Sequence, residues 1–183
     1  MNITTKMKNL TLLLSSVFII AALYSCQNDQ KTATTSNAAV TLNQNDSLFM
    51  INQGGYSFEI IMPKDIMIAN APSIQLNSAT GDLHIQCGEQ FWIIASMEKT
   101  DLAKIKSTLG EDMLFTSKII EETNNSLLYQ RNLPDGAAYD YNFRSICELG
   151  EKSYTFRTCE EGEFSLENVN RMKSVIASVR QSV

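Results

Sequence analysis

The sequence carries one histidine, His84, and one tryptophan, Trp92, and these scarcities remove several chemistries. With a single imidazole, no His-rich metal cluster can form, and no Ser-His or Cys-His catalytic pair exists unless His84 joins it. His84 and Cys87 have a His-x-x-Cys spacing. In a strand, positions three apart point to opposite faces, so this pair does not chelate one ion. His84 is expected to face solvent, opposite inward Leu83 and Ile85. Basic runs are also missing, and the formal charge is −5. That argues against nucleic acid and against electrostatic docking on anionic lipid. No phosphate loop, nucleophile elbow or paired-carboxylate motif occurs. Glu160-Glu161-Gly162-Glu163 is the one acidic cluster. It lacks the alternating Asp/Asn ligands of a calcium loop and reads as a solvated turn ahead of a helix N-terminus. Methionine thioethers bind Cu(I), but those here alternate with other apolar residues and read as core packing. The expectation is a chain that is not an enzyme, with no catalytic residue, metal or cofactor.

What is present begins at the N-terminus. Lys6 and Lys8 are the only charges before Asp29, and Leu10 to Leu23 is an uncharged, mostly apolar run. Its length suits a signal peptide and falls short of the ~20 residues that cross a bilayer. Leu23-Tyr24-Ser25-Cys26 follows at once. This resembles the lipobox of bacterial lipoproteins. The resemblance implies cleavage before Cys26, diacylation of its thiol and acylation of the new amino group, with fatty acids such as palmitate. Lipid chains supply ~0.8 kcal/mol per buried CH₂, enough for two or three to hold a domain on a membrane. Gln27 stands where the enteric sorting rule puts an inner-membrane Asp, so the resemblance points to the outer membrane of the cell envelope. Loss of Lys6 and Lys8 with the leader takes the formal charge from −5 to −7.

The domain reading is therefore 1–25 signal peptide, 26–47 lipidated Cys26 and flexible tether, and 48–183 one α+β domain. The tether is rich in Asn, Gln, Thr, Ser and Ala without periodicity. Once Cys26 is lipidated, Cys87, Cys147 and Cys159 remain, an odd number in a compartment that permits disulfides. At most one bridge can form. Strand parity places Cys87 and Cys147 inward and Cys159 on the face opposite Cys147, so Cys87–Cys147 is the one candidate bridge beside three buried free thiols.

Periodicity then orders the domain. Leu48 to Ile51 and Tyr56 to Met62 read as strands around Gln53-Gly54-Gly55, with Pro63 ending the second. A helical turn is expected at Asp65 to Ile68, and short strands at Ser73 to Leu76 and Leu83 to Cys87. Phe91 to Met97 is nearly continuous apolar chain, the pattern of a central strand covered on both faces. Thr100 reads as the N-cap of a helix with Leu102, Ile105 and Leu109 on one side, closed by Gly110. Lys118 to Thr123 and Ser126 to Arg131 form a hairpin. Tyr139 to Glu148 alternates and returns through Gly150-Glu151. That register sets Cys147 across from Tyr154, Ser145 from Phe156 and Phe143 from Thr158. Phe164 to Val179 is a helix with Ser165 as N-cap and a stripe of Val169, Met172, Val175, Ile176 and Val179.

The order is α+β with a mainly antiparallel sheet flanked by helices and a C-terminal helix packed on the sheet. Gly55-Tyr56-Ser57-Phe58-Glu59-Ile60-Ile61-Met62-Pro63 resembles the opening strand of PsbP-like domains. The resemblance runs over roughly residues 48 to 180, and Ile66-Met67 stand where the family has a Trp-containing segment. It implies a binding or assembly accessory rather than an enzyme, with another envelope protein as partner beside the membrane. One local feature suggests a ligand instead. The hairpin register sets Arg144 across from Arg157, and like charges so placed need a neutralising group. A nearby Glu would serve. So would an anion gripped by both guanidiniums, which makes Arg144 and Arg157 the candidate anion-binding residues.

Overall fold

The computed structural model describes residues 44–182, Ala69 and Lys99 excepted. Cys26, the leader and most of the stretch read as a tether lie outside the described residues. Gly54 and Gly55 join β1 (Asp46–Gln53) to β2 (Tyr56–Pro63). Their φ values of 59° and 87° suit a type I′ turn, whose twist matches that of the flanking strands. Tyr56, Phe58, Ile60 and Met62 then fall on one side of β2 and are buried. This hairpin is a two-stranded sheet of its own. The single turn α1 (Lys64–Met67) follows it.

The main sheet has seven strands in the order β3-β4-β5-β9-β8-β7-β6, all neighbours antiparallel. They are β3 (Ser73–Leu76), β4 (Leu83–Gln86), β5 (Trp92–Ser96), β6 (Thr116–Glu122), β7 (Ser126–Asn132), β8 (Ala138–Leu149) and β9 (Lys152–Thr158). The apolar run places β5 inside the sheet, with Ile93, Ile94 and Ala95 buried. In the β8–β9 hairpin, Gly150 takes φ 62°, and Cys147 pairs with Tyr154 and Ser145 with Phe156, as the alternation requires. The ladder stops at Arg144 and Arg157, so Phe143 and Thr158 do not form a ladder pair.

Two longer helices complete the α+β domain. In α2 (Leu102–Glu111) the N-cap is Asp101, not Thr100: its carboxylate accepts from the amides of Ala103 and Lys104. Asp outcompetes because its charge also meets the helix dipole. Gly110 lies inside the last turn rather than closing it. In α3 (Leu166–Ala177) Ser165 caps the Asn168 amide, and Val169, Met172, Val175 and Ile176 are buried. They join Phe58, Phe143, Tyr154 and Phe156 in one core. Phe58 meets Tyr154 and Phe156 edge-on at 5.2 and 5.5 Å, arrangements worth about 0.5–1.5 kcal/mol each beyond burial.

Methionine packing divides. Met62 and Met172 are fully buried, whereas Met50, Met97 and Met113 are exposed. Strand parity also misleads at Cys159. Once β9 ends at Thr158 the alternation no longer applies, and Cys159 turns into the core.

Candidate functional site

The β8–β9 register sets Arg144 directly across from Arg157, on the sheet face away from Phe143 and Phe156. Both guanidiniums reach the same carboxylate. Glu160 Oε1 lies 3.3 Å from Arg144 and 3.3 Å from Arg157, and Asp82 lies 3.4 Å from Arg157 on its other side. Two cations thus meet two carboxylates, and the like-charge clash of the cross-strand pair is relieved from within the chain. Glu160 remains 69% exposed, so its ion pairs are solvent-screened and worth under ~1 kcal/mol each. Arg144 Nε is buried without a hydrogen-bond partner in the protein. An external anion here would have to displace Glu160.

A third arginine on the same face is held differently. Arg131 pairs across β7–β8 with Asp140 and grips both carboxylate oxygens, with Nε to Oδ1 at 2.7 Å and Nη2 to Oδ2. Asp140 Oδ1 also accepts from Asn142 Nδ2 at 2.9 Å, and Asn142 Oδ1 accepts from Thr158 at 2.7 Å. Asp140, Asn142 and Thr158 are all buried. The Arg131 guanidinium lies 4.8 Å from the Phe115 ring and 5.5 Å from the Tyr139 ring, which stack on each other at 4.9 Å. Tyr139 is tied further by donating to Glu163 at 2.6 Å.

This stack supports an apolar tip. Asp112 accepts from the amides of Leu114 and Phe115 and bends the chain there. Met113 and Leu114 are left 96% and 72% exposed. The pairing of Thr116 with Asn132 brings Leu133 to the same end of the sheet, beside Tyr139, and both are partly exposed.

On the opposite face, α3 and the β7–β8 ladder enclose a cleft of about 420 Å³. Its lining includes Ser145, Cys147, Leu149, Lys173, Ile176 and Val179. Burial pushes the Cys147 thiol up to about 11. Cys87 and Cys159 are raised too, by burial first. All three are free thiols, and no Cys87–Cys147 bridge is present. Cys87 is instead spent locally, donating to carbonyl oxygens of Asn70 and Ile66 at 2.9 and 3.1 Å. His84 is half-buried rather than freely solvated, and its Nδ1 accepts from the Trp92 indole at 3.2 Å. That bond requires the neutral tautomer with the proton on Nε2.

The hairpin register was enough to find the arginine pair. It did not identify Glu160 as the shared counterion, although Glu160 stands three residues after Arg157. The Arg131–Asp140 pair was missed, because a bulge between Arg131 and Asn132 shifts the β7–β8 register and counting back from the turn would set Arg131 across from Tyr139. The cleft and the tip had no signal in the sequence.

These features define an α+β domain with antiparallel sheets closed by a C-terminal helix, bearing a buried polar network around Arg131 and an exposed carboxylate shared by Arg144 and Arg157. No family model matches the chain, and no curated protein matches it. Among solved structures it is similar to the solution structure of cyanobacterial PsbP (CyanoP) from Synechocystis sp. PCC 6803. The two are 12% identical, with a TM-score of 0.48, over 78% of this chain and 96% of that one.

Proposed function

We propose that this chain is a non-catalytic binding or assembly accessory, held at the cell envelope by lipid on Cys26, with another envelope protein as its partner. The observation that carries the binding reading is the apolar tip. Met113 is almost fully and Leu114 largely exposed, yet the segment is pinned by Asp112 and by the Phe115–Arg131–Tyr139 stack. Exposed apolar side chains on a rigid support suit docking, because little ordering entropy is lost on contact. The non-catalytic part is supported by the side chains themselves. The one imidazole is occupied by Trp92, and the thiols are shifted away from the reactive thiolate. The anchor part rests on Leu23-Tyr24-Ser25-Cys26, and the outer membrane is its proposed location.

The test is mild crosslinking in membranes followed by pull-down. The intact chain should give one dominant protein partner, and Met113→Ser/Leu114→Ser should lose it while keeping its circular dichroism. A chain that captures nothing, or a double variant that captures the same partner undiminished, would sink the proposal. Recovery of lipid alone would also do so. For the anchor, Cys26→Ala should release the protein from membranes; release of a fully active soluble protein would show that tethering is no part of the function.

A second reading has its own observation. The cleft beside Cys147 falls in the size range of small-molecule sites, about 300–1,000 Å³. A small-ligand or anion-binding lipoprotein would use that cleft, or Arg144 and Arg157 with Glu160 swung away. Native mass spectrometry of the purified chain would show a copurifying small molecule. A clean apoprotein mass, together with no phosphate binding, would remove this reading.

A further inference from the structure

The edges of the strands are treated very unequally. In β1–β2 the two-residue turn makes Gln53 and Tyr56 a hydrogen-bonded pair, and the Lys64 amide donating to the Asn45 carbonyl at 2.7 Å confirms the phase. Odd-numbered residues of β1 therefore bond to β2, and the backbone groups of its even-numbered residues point away from the hairpin. On β2 the outward groups are taken. Glu59 exchanges both backbone bonds with Arg180 at 2.8 and 3.0 Å, Ile61 N–H donates to Ser178 Oγ at 2.9 Å, and Ser57 N–H donates to the Tyr154 hydroxyl. Edge strand β6 is guarded by a bulge at Ile120 and by Lys118, Glu121 and Glu122. Edge strand β3 is only four residues long and follows Pro72.

Strand β1 has none of these devices. It is eight residues long, with no bulge, no proline and no lysine. Among the described residues, the outward backbone groups of Leu48, Met50 and Asn52 have no partner. The side chains of Leu48 and Met50 are 38% and 65% exposed along that edge. A row of open N–H and C=O groups is satisfied by another extended strand, and natural proteins seldom leave such a row bare.

We propose that β1 pairs antiparallel with β1 of a second copy of this chain, fusing the two hairpins into one continuous sheet. The strand is complementary to itself. A two-fold axis at Phe49 sets Leu48 of each copy across from Met50 of the other, an apolar cross-strand pair made twice. The same register places Asp46, the only charge on β1, across from neutral Asn52 rather than from its own copy. This proposal stands independently of the apolar tip and of any second protein partner.

Sedimentation of the purified chain tests it. A concentration-dependent dimer is expected, and Leu48→Lys/Met50→Lys should weaken it at least about tenfold, because lysine on an edge opposes pairing. Both side chains are exposed, so the variant should keep its circular dichroism. Cysteine crosslinking checks the register. A mixture of Leu48→Cys and Met50→Cys chains should form a disulfide dimer under mild oxidation, whereas neither chain should alone. A monomer at every soluble concentration, or a dimer indifferent to the lysines, would overturn the proposal. Crosslinking of Leu48→Cys by itself as readily as the mixture would overturn it too.

Discussion

Two arginine sites on one face of the main sheet solve the same electrostatic problem in opposite ways. Arg131 is enclosed: both oxygens of a buried carboxylate, two aromatic rings and a chain of hydrogen bonds through Asn142 to Thr158 hold it. Arg144 and Arg157 instead share one exposed carboxylate, and Arg144 keeps a buried Nε without a partner. The first arrangement spends its carboxylate on Arg131 and Asn142 within the buried sheet and belongs to the architecture of the fold. The second is balanced by a side chain free to move, so its charge can be redirected at small cost. Geometry, more than the count of charges, separates a structural ion pair from a candidate site.

The largest effect should come from breaking the enclosed site. Asp140→Ala leaves Arg131 and the Asn142 amide without their acceptor in a buried setting, and about 3–5 kcal/mol of stability should be lost in denaturant unfolding. A loss below about 1 kcal/mol would mean that the network is no firmer than a surface pair. Arg131→Lys keeps the charge but loses the two-pronged grip and the stacking on Phe115 and Tyr139. A loss of about 1–2 kcal/mol is expected by the same measurement, and an unchanged midpoint would show that charge alone matters.

At the open site the stability effects should be smaller and the binding effects opposite in sign. Glu160→Gln should cost less than about 1 kcal/mol while strengthening the binding of inorganic phosphate measured by calorimetry. Arg144→Gln/Arg157→Gln should abolish that binding. If Glu160→Gln leaves phosphate affinity unchanged, the pair is structural and the contrast with Arg131 disappears.

The smallest effect at neutral pH belongs to Cys147 on the helix-covered face. Its thiol is raised from 9.0 to about 11 in the fold, so the neutral form is the one the fold favours. The stability this gives is complete below about pH 9 and is lost as pH rises through about 11. Cys147→Ser should therefore flatten the decline in unfolding midpoint between those values. Parallel declines in both proteins would refute the assignment.

Much of this was legible from local pattern. Alternation through Tyr139 to Cys147 and the Gly150 turn defined the β8–β9 register, and with it the meeting of Arg144 and Arg157. The stripe of Val169, Met172, Val175 and Ile176 marked the buried side of α3. Reading failed where a pattern was carried past its element, as at Cys159 beyond the end of β9, or where two capping residues stood side by side, as at Thr100 and Asp101.

Residue order along the chain was enough to set the α+β class, the strand registers within hairpins and the side of each element that turns inward. Those depend on turns and periodicities only a few residues long. Which carboxylate meets which arginine, which thiols stay apart and which strand edge is covered were decided by the tertiary structure. Arg180 reaches Glu59 across 121 positions of sequence, and Asp82 reaches Arg157 across 75. Contacts of that kind exist only after the sheet and helices have packed, because chain closure rather than local preference brings the groups together.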